Sequence, residues 1–276
     1  MKRGQLFIVS TPIGNLEDIT LRALKVLKSA HLIAAEDTRR TRILLKAYEI
    51  QTPLVSLHEH NEMKKCGILI EKMKMGEDVA YVTDAGTPGV SDPGFVLIRE
   101  TLKEGLTVTA VPGPSAVIAA LVVSGLPMGA FIFEGFLPVR KKERQAFIAS
   151  LREEKRTMVF FESPRRIVDS LGDIYAVLGN RPVAVVRELT KVHEEVLRGN
   201  VQEIMDRLGN RQIKGEITLV LGGATDRKEV SDEEIEEALA NLEGQGLSSR
   251  ERIDTVTQDK GVARRRVYKI ELKRKA

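Results

Sequence analysis

Val79-Ala-Tyr-Val-Thr-Asp-Ala-Gly-Thr-Pro-Gly-Val-Ser-Asp-Pro-Gly94 decides the fold. Its first residues are apolar on both faces, the signature of a strand buried between two layers. The twelve residues from Thr83 to Gly94 then hold three glycines and two prolines. An amphipathic helix over Phe95–Glu104 and a second strand over Thr107–Val111 follow. Strand, long turn, helix and strand in that order make a βαβ unit, so the sheet is parallel and covered on both sides. A loop this long and this restricted exposes backbone N–H and C=O groups suited to an adenine or a ribose.

The same alternation runs upstream. Strands are expected at Leu6–Ser10, Leu32–Glu36 and Leu54–Leu57, with a helix over Thr20–Ala30 between the first two. Downstream a second series reads Phe131–Phe136, Met158–Glu162, Val183–Glu188, Glu195–Gly199 and Ile217–Leu221. Val183 to Gly199 leaves no room for a full crossover helix, so the second sheet is mixed. The fold class is therefore α/β. An N-terminal domain with a mainly parallel sheet spans 1–122 and a C-terminal domain with a mixed sheet spans 123–226. They are joined near Ser124–Gly129, where turn-formers interrupt an apolar helix.

Residues 227–276 form a small helical extension. Ser231-Asp-Glu-Glu234 is a capping box opening a helix that stops at Gly244. Ser248-Ser-Arg-Glu251 repeats the signal for a helix closing at Gly261, and a third helix carries Arg264, Arg265, Arg266 and Tyr268. Three short capped helices resemble a helix-turn-helix module. Of the chain's 43 basic and 39 acidic residues, ten and four fall between Arg250 and Ala276, leaving 33 and 35 elsewhere. The basic excess thus sits in the last tenth of the chain, either as a phosphate-binding element or as a solvated terminal helix.

Composition excludes several classes. Cys66 is the only cysteine, which rules out an intramolecular disulfide and a thiolate-cluster metal site, and four histidines argue against structural zinc. No G-x-G-x-x-G or Walker A sequence occurs. The opening apolar run is too short for a signal h-region and no stretch reaches the ~20 apolar residues of a membrane helix. A cytoplasmic protein without a membrane span is expected.

In open α/β sheets ligands bind beyond the carboxyl ends of the strands. After the first strand comes Thr11-Pro-Ile-Gly-Asn15. After the second, Glu36-Asp-Thr-Arg-Arg-Thr-Arg42 concentrates Asp37 and Arg39 in a charged lip, either self-neutralised or facing phosphates. His58 and Asn61 follow the third strand as polar loop residues or substrate contacts rather than metal ligands. Val111-Pro-Gly-Pro-Ser-Ala-Val117 places Ser115 where it can cap a helix and face the same cleft. Phe161-Glu-Ser-Pro-Arg-Arg166, Arg187-Glu-Leu-Thr-Lys191 and Gly215-Glu-Ile-Thr218 line up in the same way in the second domain.

These motifs, with Glu134-Gly-Phe-Leu-Pro138, occur in an order that resembles the small-subunit ribosomal RNA methyltransferase I branch of the tetrapyrrole methylase superfamily, from Leu6 to about Gly223. The resemblance implies a homodimer that binds S-adenosylmethionine and methylates the 2′-hydroxyl of a cytidine in the decoding region of the small subunit. The partner it implies is small-subunit rRNA or the assembled 30S particle. By motif, Pro12 and Ile13, then Asp84, Ala85, Gly86 and Val90, then Ser115 and Ala116 would contact the cofactor, with Thr218 closing the site. Tetrapyrrole enzymes of the superfamily usually carry Gly-Asp-Pro where this chain has Gly86-Thr-Pro88, which favours the RNA branch. Asp37, Glu188 and Lys191 are the candidates for a general base, and Arg39, Arg165 and Arg187 for holding RNA phosphates. The rival readings are C-methylation of a tetrapyrrole and a ligand-sensing helix-turn-helix regulator. The basic tail and charged lip suit the first poorly, and the second predicts duplex binding without methyl transfer.

Overall fold

A computed structural model describes residues 3–209, 211–225, 231–243, 247–260 and 262–275. The chain divides into two compact units, Met1–Ala224 and Thr225–Ala276. In the first, β1 (Gln5–Val9), α1 (Leu21–Ser29), β2 (Leu32–Ala35), α2 (Thr38–Ala47), β3 (Leu54–Ser56), α3 (Glu62–Lys74), β4 (Val79–Val82), α4 (Phe95–Lys103), β5 (Thr107–Val111) and α5 (Ala116–Ser124) follow in order. The five strands pair in parallel in the order β3-β2-β4-β1-β5.

The opening stretch explains that sheet. All four residues of β4 are buried at its centre. Ala80 and Val82 face a core with Val26 and Leu27 of α1 and Leu44 and Leu45 of α2. Val79 and Tyr81 face the opposite core, with Leu69, Ile70 and Met73 of α3 and Leu97 of α4. Burying each large apolar side chain contributes roughly 1.5–3 kcal/mol, so a strand apolar on both faces has one stable place, between two helix layers. From β1 the chain runs to β2 on one side, and from β4 it crosses to β5 on the other. The loops after β1 and β4 therefore flank the switch point of the sheet.

The second sheet contains β6 (Phe131–Phe136), β7 (Thr157–Glu162), β8 (Pro182–Arg187), β9 (Glu195–Asn200) and β10 (Ile217–Leu221), in the order β6-β7-β10-β8-β9. Only β6 and β7 are parallel, and β8 and β9 form the neighbouring antiparallel pair read from the short spacing. One face is covered by α6 (Lys141–Ser150), α7 (Ile167–Leu178) and α8 (Val201–Leu208). The other face receives Val117, Ala120 and Leu121 of α5 against Val159, Ala184, Val186 and Val220. The helix that leaves the first sheet thus supplies a core layer of the second, and residue 122 falls within it. Gly125 ends the helix in the left-handed conformation, φ 76°.

The second unit holds α9 (Asp232–Asn241), α10 (Ser249–Lys260) and α11 (Arg264–Lys275) around Ile235, Leu239, Ile253, Val256, Val267 and Ile270. Ser231 and Glu234 form both bonds of a capping box, and Ser248 and Glu251 exchange the same two. The stops expected at Gly244 and Gly261 lie outside the described residues. Among the described residues no helix is long and apolar enough to cross a membrane.

One ion pair inside the first unit is nearly sealed from water. Arg144 of α6 lies 2.6 Å from the Asp173 carboxylate of α7, with the two side chains 6% and 5% exposed, and Gln145 donates to the other carboxylate oxygen at 2.7 Å. Removing Asp173 would strand the guanidinium, at a cost of about 3–5 kcal/mol. Asp173→Ala is expected to lower the unfolding free energy extrapolated from urea titration by that amount, through a lower midpoint at an unchanged m-value, and a loss below about 1 kcal/mol would disprove the role given to the pair.

Candidate active site

Backbone pairing builds the site. Thr11 N–H donates to the Gly86 carbonyl at 2.9 Å and Gly86 N–H returns a bond to the Thr11 carbonyl at 3.0 Å. The loops after β1 and β4 are thereby zipped together past the ends of their strands. Ser10 and Thr87 add a hydroxyl–hydroxyl bond of 2.8 Å. Gly86 reaches this geometry at φ 79°, a region where a side chain would be strained. At the far end of the loop Gly94 lies against the Tyr81 ring, so close that a Cβ there would stand 2.6 Å from Cε1.

A cavity of about 400 Å³ opens above these loops. That volume lies in the range of small-molecule and cofactor sites. Ile13 and the stretch from Asp84 to Thr87 contribute from the two zipped loops, followed by Val90, Ser91 and Asp92. Ser115, Ala116 and Val117 come from the start of α5. Phe136, Phe161, Ser163, Pro164, Leu189 and Thr218 come from the second sheet and its turns. Phe161 packs against Phe136 with ring centroids 5.5 Å apart and the rings tilted by 58°. Strand β6 bulges between Phe133 and Phe136, and Gly135 in that bulge packs beside the Ser91 hydroxyl.

The cofactor residues read from the motifs are gathered here. Ile13, Asp84, Ala85, Gly86, Val90, Ser115, Ala116 and Thr218 all line the cavity, whereas Pro12 does not. Ser115 sits at the N-cap position of α5, yet its side chain makes no capping bond. Ser115 lines the cavity, and among the described residues no side chain caps the first-turn N–H groups beside it.

The charged residues divide differently. Asp37 caps α2 by accepting from Arg39 N–H, and its carboxylate holds the Arg39 side chain at 2.8 and 3.1 Å. The Arg39 guanidinium draws that carboxyl down to about 2. Neither residue lines the cavity; the adjacent Arg40 does, with Nη1 3.4 Å from Asp84. Glu188 receives Lys191 Nζ at 2.8 Å and Glu216 N–H at 2.9 Å. Burial pushes the Glu188 carboxyl up, but those two donors outweigh it and hold it below its usual value. Arg187 reaches Glu195 and the Lys214 carbonyl. His58 and Asn61 bond to each other at the start of α3. Arg165 is exposed beside Pro164. None of these six lines the cavity.

Sequence reading passed over Asp92, which sits inside the quoted stretch. Burial pushes its carboxyl up to about 6; the Thr83 hydroxyl opposes this, and the carboxylates of Glu36 and Asp84 reinforce it. Glu36 is raised too, chiefly by burial, although it accepts Asp84 N–H at 3.2 Å. Glu162 lines the wall fully committed, taking Ser163 N–H, the Ser170 hydroxyl and Arg166. Asp92 is thus a cavity carboxylate without a cation of its own among the described residues, and nothing beside it in the sequence signals the raised affinity for a proton that burial produces.

Comparison with known proteins agrees with this geometry. The family model for tetrapyrrole (corrin/porphyrin) methylases matches residues 5–205. A ribosomal RNA small subunit methyltransferase I from Halalkalibacterium halodurans is 44% identical over 97% of this chain and 94% of its own length. The protein of that name from Thermotoga maritima is 51% identical over 80% of this chain and 99% of its own. Among solved structures, a cobalt precorrin-4 methyltransferase superposes with a TM-score of 0.60 at 20% identity, covering 79% of this chain and 94% of its own. A uroporphyrin-III C-methyltransferase from Thermus thermophilus, complexed with S-adenosyl homocysteine, gives 0.56 at 20%, covering 79% and 97%; at that identity both show the fold alone. With the zipped loops, the cavity between two sheets and relatives matched along their whole length, the chain belongs to the tetrapyrrole methylase family, in its ribosomal RNA small subunit methyltransferase I branch.

Proposed function

We propose that this chain uses S-adenosylmethionine to methylate the 2′-hydroxyl of a cytidine ribose in the decoding region of small-subunit ribosomal RNA, as a cytoplasmic homodimer. The carrying observation is the single cavity on which Asp84, Gly86, Ser115 and Thr218 converge, in a chain whose full-length relatives bear the name of that rRNA enzyme. The buried Cys66 thiol suits a reducing compartment, and Ile118 and Val122, exposed one turn apart on α5, suit pairing with a second copy.

The residues present fit the cofactor. Uncapped N–H groups at the start of α5 suit a carboxylate, and Asp84 suits a cationic ammonium or sulfonium group. Ile13, Val90, Ala116 and Val186 offer apolar walls for a purine. S-adenosylmethionine, when bound, supplies a methyl group already activated on sulfur. The work left to the protein is alignment, exclusion of water and disposal of one proton.

Asp92 takes that proton. Asp37, Glu188 and Lys191 are each held in ion pairs at the periphery, whereas Asp92 lines the cavity with an affinity for protons near that of a base working at neutral pH. Arg40, 63% exposed at the cavity wall, is placed to meet an RNA phosphate. Phe136 and Phe161 add an aromatic edge to the wall from the second sheet.

Two experiments test this reading. Purified protein incubated with small ribosomal subunits and tritiated S-adenosylmethionine is expected to leave label in an alkali-resistant dinucleotide, because a methylated 2′-oxygen cannot attack the neighbouring phosphate. Label released as mononucleotide would mean base methylation, and label found only on an added tetrapyrrole would point to the corrinoid reaction. Asp92→Asn is expected to lower kcat by about 10²–10⁴ while cofactor binding persists in calorimetry. In the native enzyme Asp92 must be ionised to act, so kcat/KM should rise with pH through about 6 and then level off. That limb should be absent from the variant, and an unchanged profile would exclude Asp92 as the base.

A further inference from the structure

Charge in the second unit is segregated by helix. Five of the ten residues of α9 are acidic, namely Asp232, Glu233, Glu234, Glu236 and Glu237. Helix α11 carries seven Lys or Arg in twelve residues and one acid, Glu271, which is buried and paired with Arg252 at 2.6 Å. Several of the cations on α11 are consumed internally. Arg264 pairs with Asp254, Arg266 with Asp232, and Arg274 with Glu243 and Glu271.

Arg265, Lys269 and Lys273 are different. All three are exposed, and none has an ion pair or side-chain hydrogen bond to a described residue. They are spaced four apart, so they fall on one side of the helix, opposite Val267 and Ile270 in the core of the unit. The row spans about 12 Å, long enough for several consecutive phosphates of one strand. Tyr268 and Leu272, 49% and 50% exposed, flank the row on the same side. Three cations held in line, with no carboxylate among the described residues to neutralise them, leave a fixed positive edge on a helix whose core is already satisfied. A merely solvated helix has no need to pair every other arginine while leaving one row free.

We infer that this face of α11 is a binding surface for the sugar–phosphate backbone of ribosomal RNA, with Arg265, Lys269 and Lys273 as its phosphate contacts. The inference rests on the rRNA reading above but concerns residues that do not line the cavity. It separates two tasks: the cavity residues set the chemistry, and the α11 face adds affinity that carries no sequence information of its own.

The test compares the full-length native protein with two triple variants. One reverses charge (Arg265→Glu, Lys269→Glu, Lys273→Glu) and the other preserves it (Arg265→Lys, Lys269→Arg, Lys273→Arg). Binding to protein-free small-subunit RNA is measured across a potassium chloride series, alongside methylation of small subunits and calorimetry with S-adenosylmethionine. The charge-reversed protein is expected to bind RNA at least tenfold more weakly at moderate salt. Its slope of log affinity against log salt should be shallower by about 2–3. KM for subunits should rise while kcat and cofactor affinity stay native. Native affinity and slope in that variant would overturn the inference, and so would equal loss in the charge-preserving one, which would trace the effect to packing. Should the native protein bind RNA with this salt dependence yet transfer no methyl group, the proposed reaction fails and the surface stands.

Discussion

Everything at the site depends on two backbone hydrogen bonds, those that Thr11 and Gly86 exchange across the ends of β1 and β4. A parallel sheet alone leaves the loops after its strands free to diverge. This bridge ties the two loops at the switch point, where the connections leave in opposite directions and a crevice is unavoidable. It works only because residue 86 can take φ 79°. Gly14 does a related job on the opposite side of the first loop. A Cβ there would stand 2.8 Å from the Leu189 carbonyl oxygen, so only glycine lets the first sheet's loop close against the turn after β8. Gly86 thus holds the two loops of the first wall together, and Gly14 lets that wall close on the second.

The second wall is held by a helix shared between sheets. Helix α5 begins at the cavity with Ser115 and Ala116 and ends inside the core of the second sheet, its Val117, Ala120 and Leu121 packed on Val159, Val186 and Val220. Any rotation of one sheet against the other would have to break that apolar contact. This couples the stability of the second core to the geometry of a helix N-terminus that lines the cavity. It also accounts for a chain whose two sheets read as separate domains in sequence yet form one compact unit.

Elements were legible because burial leaves a period behind. The parallel strands of Val79–Val82 and Thr107–Val111 and the antiparallel pair β8–β9 stand where apolar runs and short spacings put them. Loop glycines and prolines were legible for the same kind of reason, since a backbone that must turn sharply beside a ligand leaves few residue choices. Side-chain partnerships were not. Arg39 and Arg40 are neighbours of equal charge, but the first curls back on Asp37 at the helix N-cap and the second, a step further round the helix, reaches Asp84 and the cavity. Glu188 read as a candidate base in sequence, and only the fold brings Lys191 and Glu216 N–H onto it. Asp92 was hidden by the opposite effect, because its character comes from burial and from Glu36 and Asp84, which lie far from it along the chain or across the turn.

These contrasts reduce to one electrostatic criterion. A charged side chain already within ion-pair distance of an opposite charge has spent most of its interaction energy, and a ligand must first break that pair to use it. One left without such a partner keeps its field for whatever arrives. Glu188 and Glu162 are committed and stabilise their turns, whereas Asp92 remains disposable in the cavity. On α11 the same distinction separates Arg264 and Arg266, tied to Asp254 and Asp232, from the open row of Arg265, Lys269 and Lys273. Keeping a group unpaired costs stability through desolvation in the first case and like-charge repulsion in the second. A fold that tolerates both costs keeps its uncompensated groups where the proposed reaction would have a proton and a polyanion arrive.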